Sequence, residues 1–203
     1  MKTNILPALK LSAILLILFS FAYPLTIRGI AYLSKGNGNG ATLTKNGKII
    51  GFELIGQSFT KDQYFWGRPS AANYNATASA GSNKGTSNPE YLKTVEAKID
   101  TFLVHNPAVK KIDIPAELVT NSGSGLDPDI SPNSAIIQIP RIAKVRGIPI
   151  DKLNNLVAQH IENPFLGVFG PKKVNVLKLN LALDQLSNWS YWLWKWLIIY
   201  NVD

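Results

Sequence analysis

Between Lys10 and Arg28 run seventeen uncharged residues, LSAILLILFSFAYPLTI, and no other stretch of the chain so limits what it can become. At 1.5 Å per residue they make a helix of roughly 26 Å, near the minimum thickness of a bilayer core. Lys2 and Lys10 ahead of the run and Ser20-Phe21-Ala22 within it also fit a cleavable signal peptide. Apolar character continues past Ala22 through Leu25 and Ile27 to Leu33, further than a signal peptide needs, which favours an anchor over residues 11–33. Pro24 falls in its last turns, where a kink is tolerated. Lys2, Lys10 and the amino terminus on one flank face Arg28 and Lys35 on the other, so charge alone does not orient it. Residues 1–10 are the short segment before the anchor, and on either reading the remaining chain lies outside the cytoplasm if that segment stays inside.

A 203-residue chain has room for one ordinary domain beyond such an anchor. With 46% hydrophobic and 17% charged residues, the chain is too apolar for a disordered protein and too polar for a polytopic membrane protein. There are no cysteines, which excludes disulfides, thiolate metal sites and cysteine nucleophiles. The net charge is +8, but residues 1–28 carry three basic side chains and no acid, leaving 18 basic against 13 acidic side chains. That surplus is too modest for a nucleic-acid binder.

The Gly/Asn run at residues 34–40 reads as a hinge, and the domain proper as 41–186. Lys48–Gly56 is rich in strand formers, and Phe59–Phe65 continues that pattern into an aromatic turn closed by Gly67-Arg68-Pro69. Residues 71–89 are Ala, Ser, Asn, Gly and Thr, a long ordered loop that must lie on something. Asn88 caps a helix opening with Pro89 and Glu90, with Leu92, Val95, Ile99, Phe102 and Leu103 on one stripe, ending at His105 to Pro107. Ala116–Thr120 reads as a short strand or turn. Ser131 caps a further helix with Pro132 in first position, Pro140 bends or divides it, and Gly147 stops it. Another helix runs over Asp151–Ile161. Val174–Leu186 alternates like a strand and then recurs like a helix. The fold class is mixed α/β (α+β) on a single N-terminal transmembrane helix.

Catalytic and ligand-binding patterns are incomplete. Asp127, Asp129 and Ser131 have calcium-loop spacing, but Pro132 and Gln138 stand where that loop needs Gly and Glu. None of the glycine clusters carries a phosphate-loop motif, and G-x-S-x-G is absent. His105 and His160 each fall at a helix end, where a structural role is usual. Arg141, Lys144 and Arg146 share two turns of helix, either an anion or partner site or a solvated face. The sequons at Asn75 and Asn188 carry no argument. Residues 187–203 hold four of the five tryptophans, too short a run to span a membrane but suited to a bilayer interface or a partner surface.

Several longer motifs occur in one order: Gly56-Gln57-Ser58-Phe59, Tyr64-Phe65-Trp66-Gly67-Arg68-Pro69-Ser70-Ala71, Ala80-Gly81-Ser82-Asn83, Ser87-Asn88-Pro89, Gly125-Leu126-Asp127-Pro128-Asp129-Ile130-Ser131-Pro132, the segment Gln138 to Gly147, and Val174 to Asp184. Together with Tyr23-Pro24-Leu25 they make residues 5–186 resemble the KdpC family. Ile142 and Val145 stand where that family usually has Val and Ala, and the Trp-rich tail lies beyond its usual end.

The resemblance implies the non-catalytic C subunit of a high-affinity ATP-driven potassium uptake complex. Its partners would be a channel-like potassium-translocating subunit, a P-type ATPase subunit and a small single-helix subunit. It implies a single-pass protein of the cell membrane, with its N-terminus cytoplasmic and its bulk extracytoplasmic, and with no firmly bound cofactor. Two roles come with the family. In one, the subunit is a catalytic chaperone raising the ATP affinity of the ATPase subunit, with Gln138 near nucleotide in a ternary complex. In the other, its outer domain docks on the channel subunit and stabilises assembly, which an N-in anchor makes easier because Gln138 is then on the side without ATP. Docking would use loops 73–88 and 121–129, with Arg68, Asn83, Asp127 and Arg141 as candidate contacts. A rival from another class is an anchored extracytoplasmic hydrolase or glycan-binding module using Trp66.

Overall fold

The computed structural model describes residues 4–45 and 47–186, in two units that divide after Thr42. The first unit is a continuous helix, Ile5–Ala31, of 27 residues with mean hydropathy 2.2, long and apolar enough to cross a membrane. It consists of α1 (Ile5–Ile17), a π-helical turn (Leu18–Ala22) and α2 (Tyr23–Ala31). The widened turn lies directly before Pro24, which has no N–H to donate back and whose ring crowds the carbonyl four residues earlier. Thr26 Oγ1 donates to the Ala22 carbonyl at 2.7 Å in the same stretch. The segment that follows is a chain of tight turns, with Ser34 N–H bonded to Ala31 O, Asn37 N–H to Ser34 O and Asn39 N–H to Gly36 O.

The second unit is the mixed α/β body. A two-stranded hairpin comes first, β1 (Thr42–Lys45) and β2 (Lys48–Phe52). Asn88 then caps α3 (Pro89–His105), its Oδ1 accepting from Tyr91 N–H at 3.0 Å, with Pro89 in the first position and Glu90 in the first turn. Ala116–Leu118 is one 3₁₀ turn rather than a strand. Ser131 caps α4 (Pro132–Ile136) through Ser134 N–H at 3.2 Å. The helix is broken before Pro140, and α5 (Ile139–Arg146) ends at Gly147 with φ of 65°. α6 follows (Ile150–Gln159).

A small antiparallel sheet has the order β3 (Asp129–Ile130), β5 (Lys173–Asn175), β4 (Ile161–Glu162), with Val174 opposite both Ile130 and Ile161. The ambiguous last segment is both elements in succession: strand β5, then a helix, α7, over 176–186. Val176, Leu179 and Leu183, spaced at helical period, are buried, as are Val174, Phe65, Phe102, Ile139, Ile142 and Leu153. These side chains form one core between the sheet, α3 and α4–α7.

The stretch Phe59–Phe65 forms no strand: it turns at residues 61–64, with Tyr64 N–H bonded to Lys61 O at 3.1 Å. The groups that satisfy the backbone of Phe65 and Trp66 beyond the turn are side chains, which no hydropathy pattern reveals.

Candidate functional site

The segment Asp62–Trp66 dips into the core at Phe65, which is 0% exposed, and two buried carboxamides take the place of flanking strands there. Asn180 on α7 accepts from Phe65 N–H through Oδ1 at 2.8 Å and donates to Phe65 O through Nδ2 at 2.9 Å. Gln138, just ahead of α5, does the same for the next residue, accepting from Trp66 N–H at 2.8 Å and donating to Trp66 O at 3.1 Å. Successive residues of an extended chain point their N–H and C=O groups to opposite sides. One carboxamide on each side therefore completes what a ladder would supply.

Gln138 makes two further bonds. Its Nε2 donates to Ser134 O at 2.9 Å and its Oε1 accepts from Arg141 Nη2 at 2.8 Å. Both amide hydrogens and both oxygen lone pairs are thus used within the chain, and the residue is 0% exposed. A nucleotide could reach this amide only by displacing those bonds.

Two arginines of α5 grip the same segment from its other end. Arg141 donates from Nε to Asn106 Oδ1 at 2.9 Å and from Nη1 to Asp62 O, and its guanidinium lies 4.5 Å over the Trp66 ring. Arg146 donates from Nε to Gln63 O at 2.7 Å and from Nη2 to Asp184 Oδ1 at 2.9 Å, and lies 4.8 Å over Tyr64. Burial pushes the Arg141 guanidinium down to about 10, with Asp62 pulling the other way, so it stays charged at neutral pH. Lys144 is the exposed member of the basic triplet. The arginines are therefore neither a solvated face nor an open anion site: they are internal braces, and a partner would touch Arg141 only by breaking them.

His105, the last residue of α3, bonds Asp62 Oδ1 through Nδ1 at 2.8 Å and meets Trp66 edge-on at 5.0 Å. His160 Nδ1 lies 2.8 Å from Leu156 O. Beside His105, between the end of α3 and α5, is an open cleft of about 640 Å³ with apolar walls from Val104, Pro107, Pro140 and Val145. Its basic side chains are the braced Arg141 and the exposed Lys144.

The two polar loops lie on each other. Ser70 Oγ donates to Gly125 O at 2.6 Å, Ser79 Oγ to Ser124 O at 2.9 Å, and Ser122 N–H to Pro69 O at 3.0 Å. Arg68 Nη1 bonds Asp127 Oδ2 at 3.0 Å, and Asp127 Oδ1 accepts from Asp129 N–H at 3.0 Å. Gly125, with φ of 68°, sits so close to the other loop that a Cβ there would be 2.7 Å from Ala80 O. Arg68 and Asp127 are thus a pair within the loop stack, while Asn83 is exposed at its rim. The calcium-like triplet is dispersed: Asp127 faces Arg68, Asp129 Oδ2 accepts from Lys173 at 2.6 Å, and Ser131 is the helix cap. Among the described residues no group of three or more His, Cys, Asp or Glu is placed to hold a metal.

Sequence reasoning passed over the connection between β4 and β5. There Phe165 and Phe169 bridge each other through two backbone bonds of 2.9 Å, around a tip with Leu166 and Gly167 at positive φ. Phe165, Leu166, Val168 and Phe169 are all between 66% and 77% exposed. The signal was in the sequence as NPFLGVFGPKK, four large apolar residues around a glycine with no polar residue between them. Residues 187–203, the Trp-rich tail and its sequon, lie outside the described residues.

Comparison with known proteins gives one answer. The family profile described as KdpC, K+-transporting ATPase, c chain, matches residues 5–185. A protein of Bacteroides fragilis (strain YCH46), named potassium-transporting ATPase KdpC subunit, is 50% identical over 191 residues, covering 93% of this chain and 100% of its own. Proteins of the same name from Flavobacterium johnsoniae and Caldanaerobacter subterraneus subsp. tengcongensis are 54% and 46% identical over 184 residues. They cover 91% and 90% of this chain and 99% and 95% of their own.

Proposed function

We propose, on the premise that this chain belongs to the KdpC family and is the C subunit of a K+-transporting ATPase, that its part in the complex is to bind and hold the other subunits. Family membership leaves the rival reading, a hydrolase or glycan-binding module unrelated to transport, without support. What carries the docking role is how the residues of the family motifs are used. Gln138, Arg141, Arg146 and Asn180 are all committed to bracing the body's own backbone, while the four apolar side chains of the bridged tip 165–169 face outward. A rigid tip of exposed Phe and Leu is the kind of anchor that fills a pocket on a partner. A bonded amide with no exposure is a poor nucleotide ligand.

The partners in this reading are the channel-like potassium-translocating subunit, the P-type ATPase subunit and the small single-helix subunit, with the helix Ile5–Ala31 in the membrane and the body extracytoplasmic. The stacked loops 73–88 and 121–129 offer a second, polar surface with Asn83 at its rim. Arg68 and Asp127 fix its shape. Chaperoning of ATP binding, if this chain affects it, would then act through the ATPase subunit's conformation rather than through Gln138 touching nucleotide, and this chain needs no cofactor of its own.

The test is recovery of the tagged full-length chain from its native membrane in mild detergent, with potassium-stimulated ATP hydrolysis measured on what co-purifies. The unaltered chain brings down the ATPase and channel-like subunits with activity. Phe165→Ser with Phe169→Ser, and separately Asn83→Lys, leave the chain folded but reduce recovery of the partners. Recovery of unaltered chain alone, or full assembly by both variants, would refute the reading.

A further inference from the structure

The cleft between the end of α3 and α5 has apolar walls that face water. Val104, in the last turn of α3, is 77% exposed and Val145, in the last turn of α5, is 51% exposed. Pro107 and Pro140 extend the same surface, and a contiguous apolar patch rimmed by polar residues is the mark of an interaction site. We propose that this cleft receives an extracytoplasmic segment of a partner subunit, one that lays apolar side chains against Val104, Pro140 and Val145 and sets a carboxylate against Lys144. The inference rests on the docking role proposed above and adds to it a place and a chemistry.

The charge of the cleft selects the carboxylate. Among the described residues Asp62 is the only acid in its lining, against Arg141, Lys144 and His105. That carboxylate is already engaged: His105 Nδ1 lies 2.8 Å from Asp62 Oδ1, and Arg141 Nη1 lies 3.9 Å from the same oxygen. At 3.9 Å the ion pair has no hydrogen bond of its own, and the Arg141 side chain, 3% exposed, keeps a charge that one shared carboxylate only partly offsets. Burial pushes its guanidinium down to about 10, the direction expected of a cation short of counter-charge. Arg141 stays within its internal bonds and acts through its field, which is weakly screened in a recess walled by apolar groups. The contact falls to Lys144, which is exposed and, among the described residues, makes no ion pair.

The shape selects the kind of molecule. The walls are helix and turn, so there is no sheet edge for a strand to join, and Pro107 and Pro140 have no N–H to offer. Recognition therefore runs through side chains. A single acyl chain needs a pocket that closes over most of its surface. An open cleft of about 640 Å³ leaves one side of its occupant free, which suits a segment attached to a larger protein.

The test is made on the complex recovered from its native membrane in mild detergent, with Val145, or separately Val104, replaced by the photo-crosslinker p-benzoylphenylalanine. After irradiation the adduct is mapped by mass spectrometry. It is expected on an extracytoplasmic segment of the channel-like or ATPase subunit, with Asp or Glu beside the labelled residue. Lys144→Glu should lower recovery of the partners roughly three- to tenfold at low salt, Lys144→Arg should leave it unchanged, and the gap between the two should shrink as salt rises. Both variants should melt with the parent, so that lost recovery is not lost folding. An adduct to phospholipid only, to a second copy of this chain, or to a segment without acids would overturn the proposal, as would full recovery by Lys144→Glu. Failure of the unaltered chain to bring down either subunit would overturn the docking role itself, whereas recovery of both with no protein adduct from either position overturns the occupancy of this cleft alone.

Discussion

Replacing Gln138 by Ala separates a bracing role from a nucleotide-contact role. The change removes four hydrogen bonds and leaves the N–H and C=O of Trp66, the carbonyl of Ser134 and one guanidinium N–H of Arg141 without their partner. The Ser134 and Arg141 bonds are fully buried and the two to Trp66 partly so. A buried group left unpaired costs about 1–3 kcal/mol, and a partly solvated one recovers much of that from water. Two groups of each kind give a loss of about 3–5 kcal/mol, at the upper end of what single substitutions do. For a body of this size that lowers the melting temperature by roughly 10–15 °C. The assay is thermal unfolding of the full chain in mild detergent, followed by circular dichroism, together with the KM for ATP of the assembled complex. A variant that melts within a degree or two of the parent while the complex's KM for ATP rises would refute the reasoning and return Gln138 to the nucleotide.

Three further predictions concern the frame around it. Gly125→Ala forces a left-handed residue and a Cβ against the Ala80 carbonyl, so it should cost about 2–4 kcal/mol and speed proteolysis within residues 71–88. Asn88→Ala removes the cap bond to Tyr91 and should cost about 1 kcal/mol, read as faster hydrogen exchange in the first turn of α3. Burial alone would raise the Asp184 carboxyl, but hydrogen bonds and charge from Lys45 and Arg146 hold it below its usual 3.8. A carboxylate depressed in the folded state gives stability that is complete above about 3.8 and is lost as pH falls below it. Asp184→Asn should therefore be less stable than the parent at neutral pH, with the gap closing in melts below about pH 3.8; a gap unchanged at pH 3 would contradict the clamp.

What could be read from the chain, and what could not, follows from which interactions are local. Helix caps depend on a few adjacent residues, so Asn88-Pro89, Ser131-Pro132 and Gly147 announce their roles. The division of one apolar run at Pro140 follows from the missing N–H. Residues 174–186 were ambiguous because three residues of strand run straight into a helix, and both periods hold over part of the segment. Phe59–Phe65 reads as strand because its residues suit extended backbone, yet the chain turns at residues 61–64 and no strand lies beside its end. Its neighbours, Gln138 and Asn180, are 72 and 115 residues away, and a carboxamide in a sequence does not declare which peptide group it will pair with. The arginines of α5 misled for the same reason. A basic triplet on a helix looks the same whether it faces water or stacks on Tyr64 and Trp66.

These distant pairings also bear on how an accessory subunit can work without chemistry of its own. Apolar packing alone tolerates repacking of comparable side chains and does not fix one arrangement closely. Here the backbone at residues 62, 63, 65 and 66 is held by Arg141, Arg146, Asn180 and Gln138 in turn, each bond having its own direction. Residues 68–70, which carry the loop stack, follow directly on that braced segment. Any shift of Gln138 or Arg141 would therefore be felt at Arg68–Asp127 and at the Ser70–Gly125 contact a few residues on. A surface built on such a frame loses little further order when it meets a partner, which keeps the entropic cost of docking low. The exposed tip 165–169, between β4 and β5, is held differently, by its own backbone bridge. An assembly subunit needs surfaces of set shape, which the buried polar residues give beneath the loop stack and the backbone bridge gives at the tip.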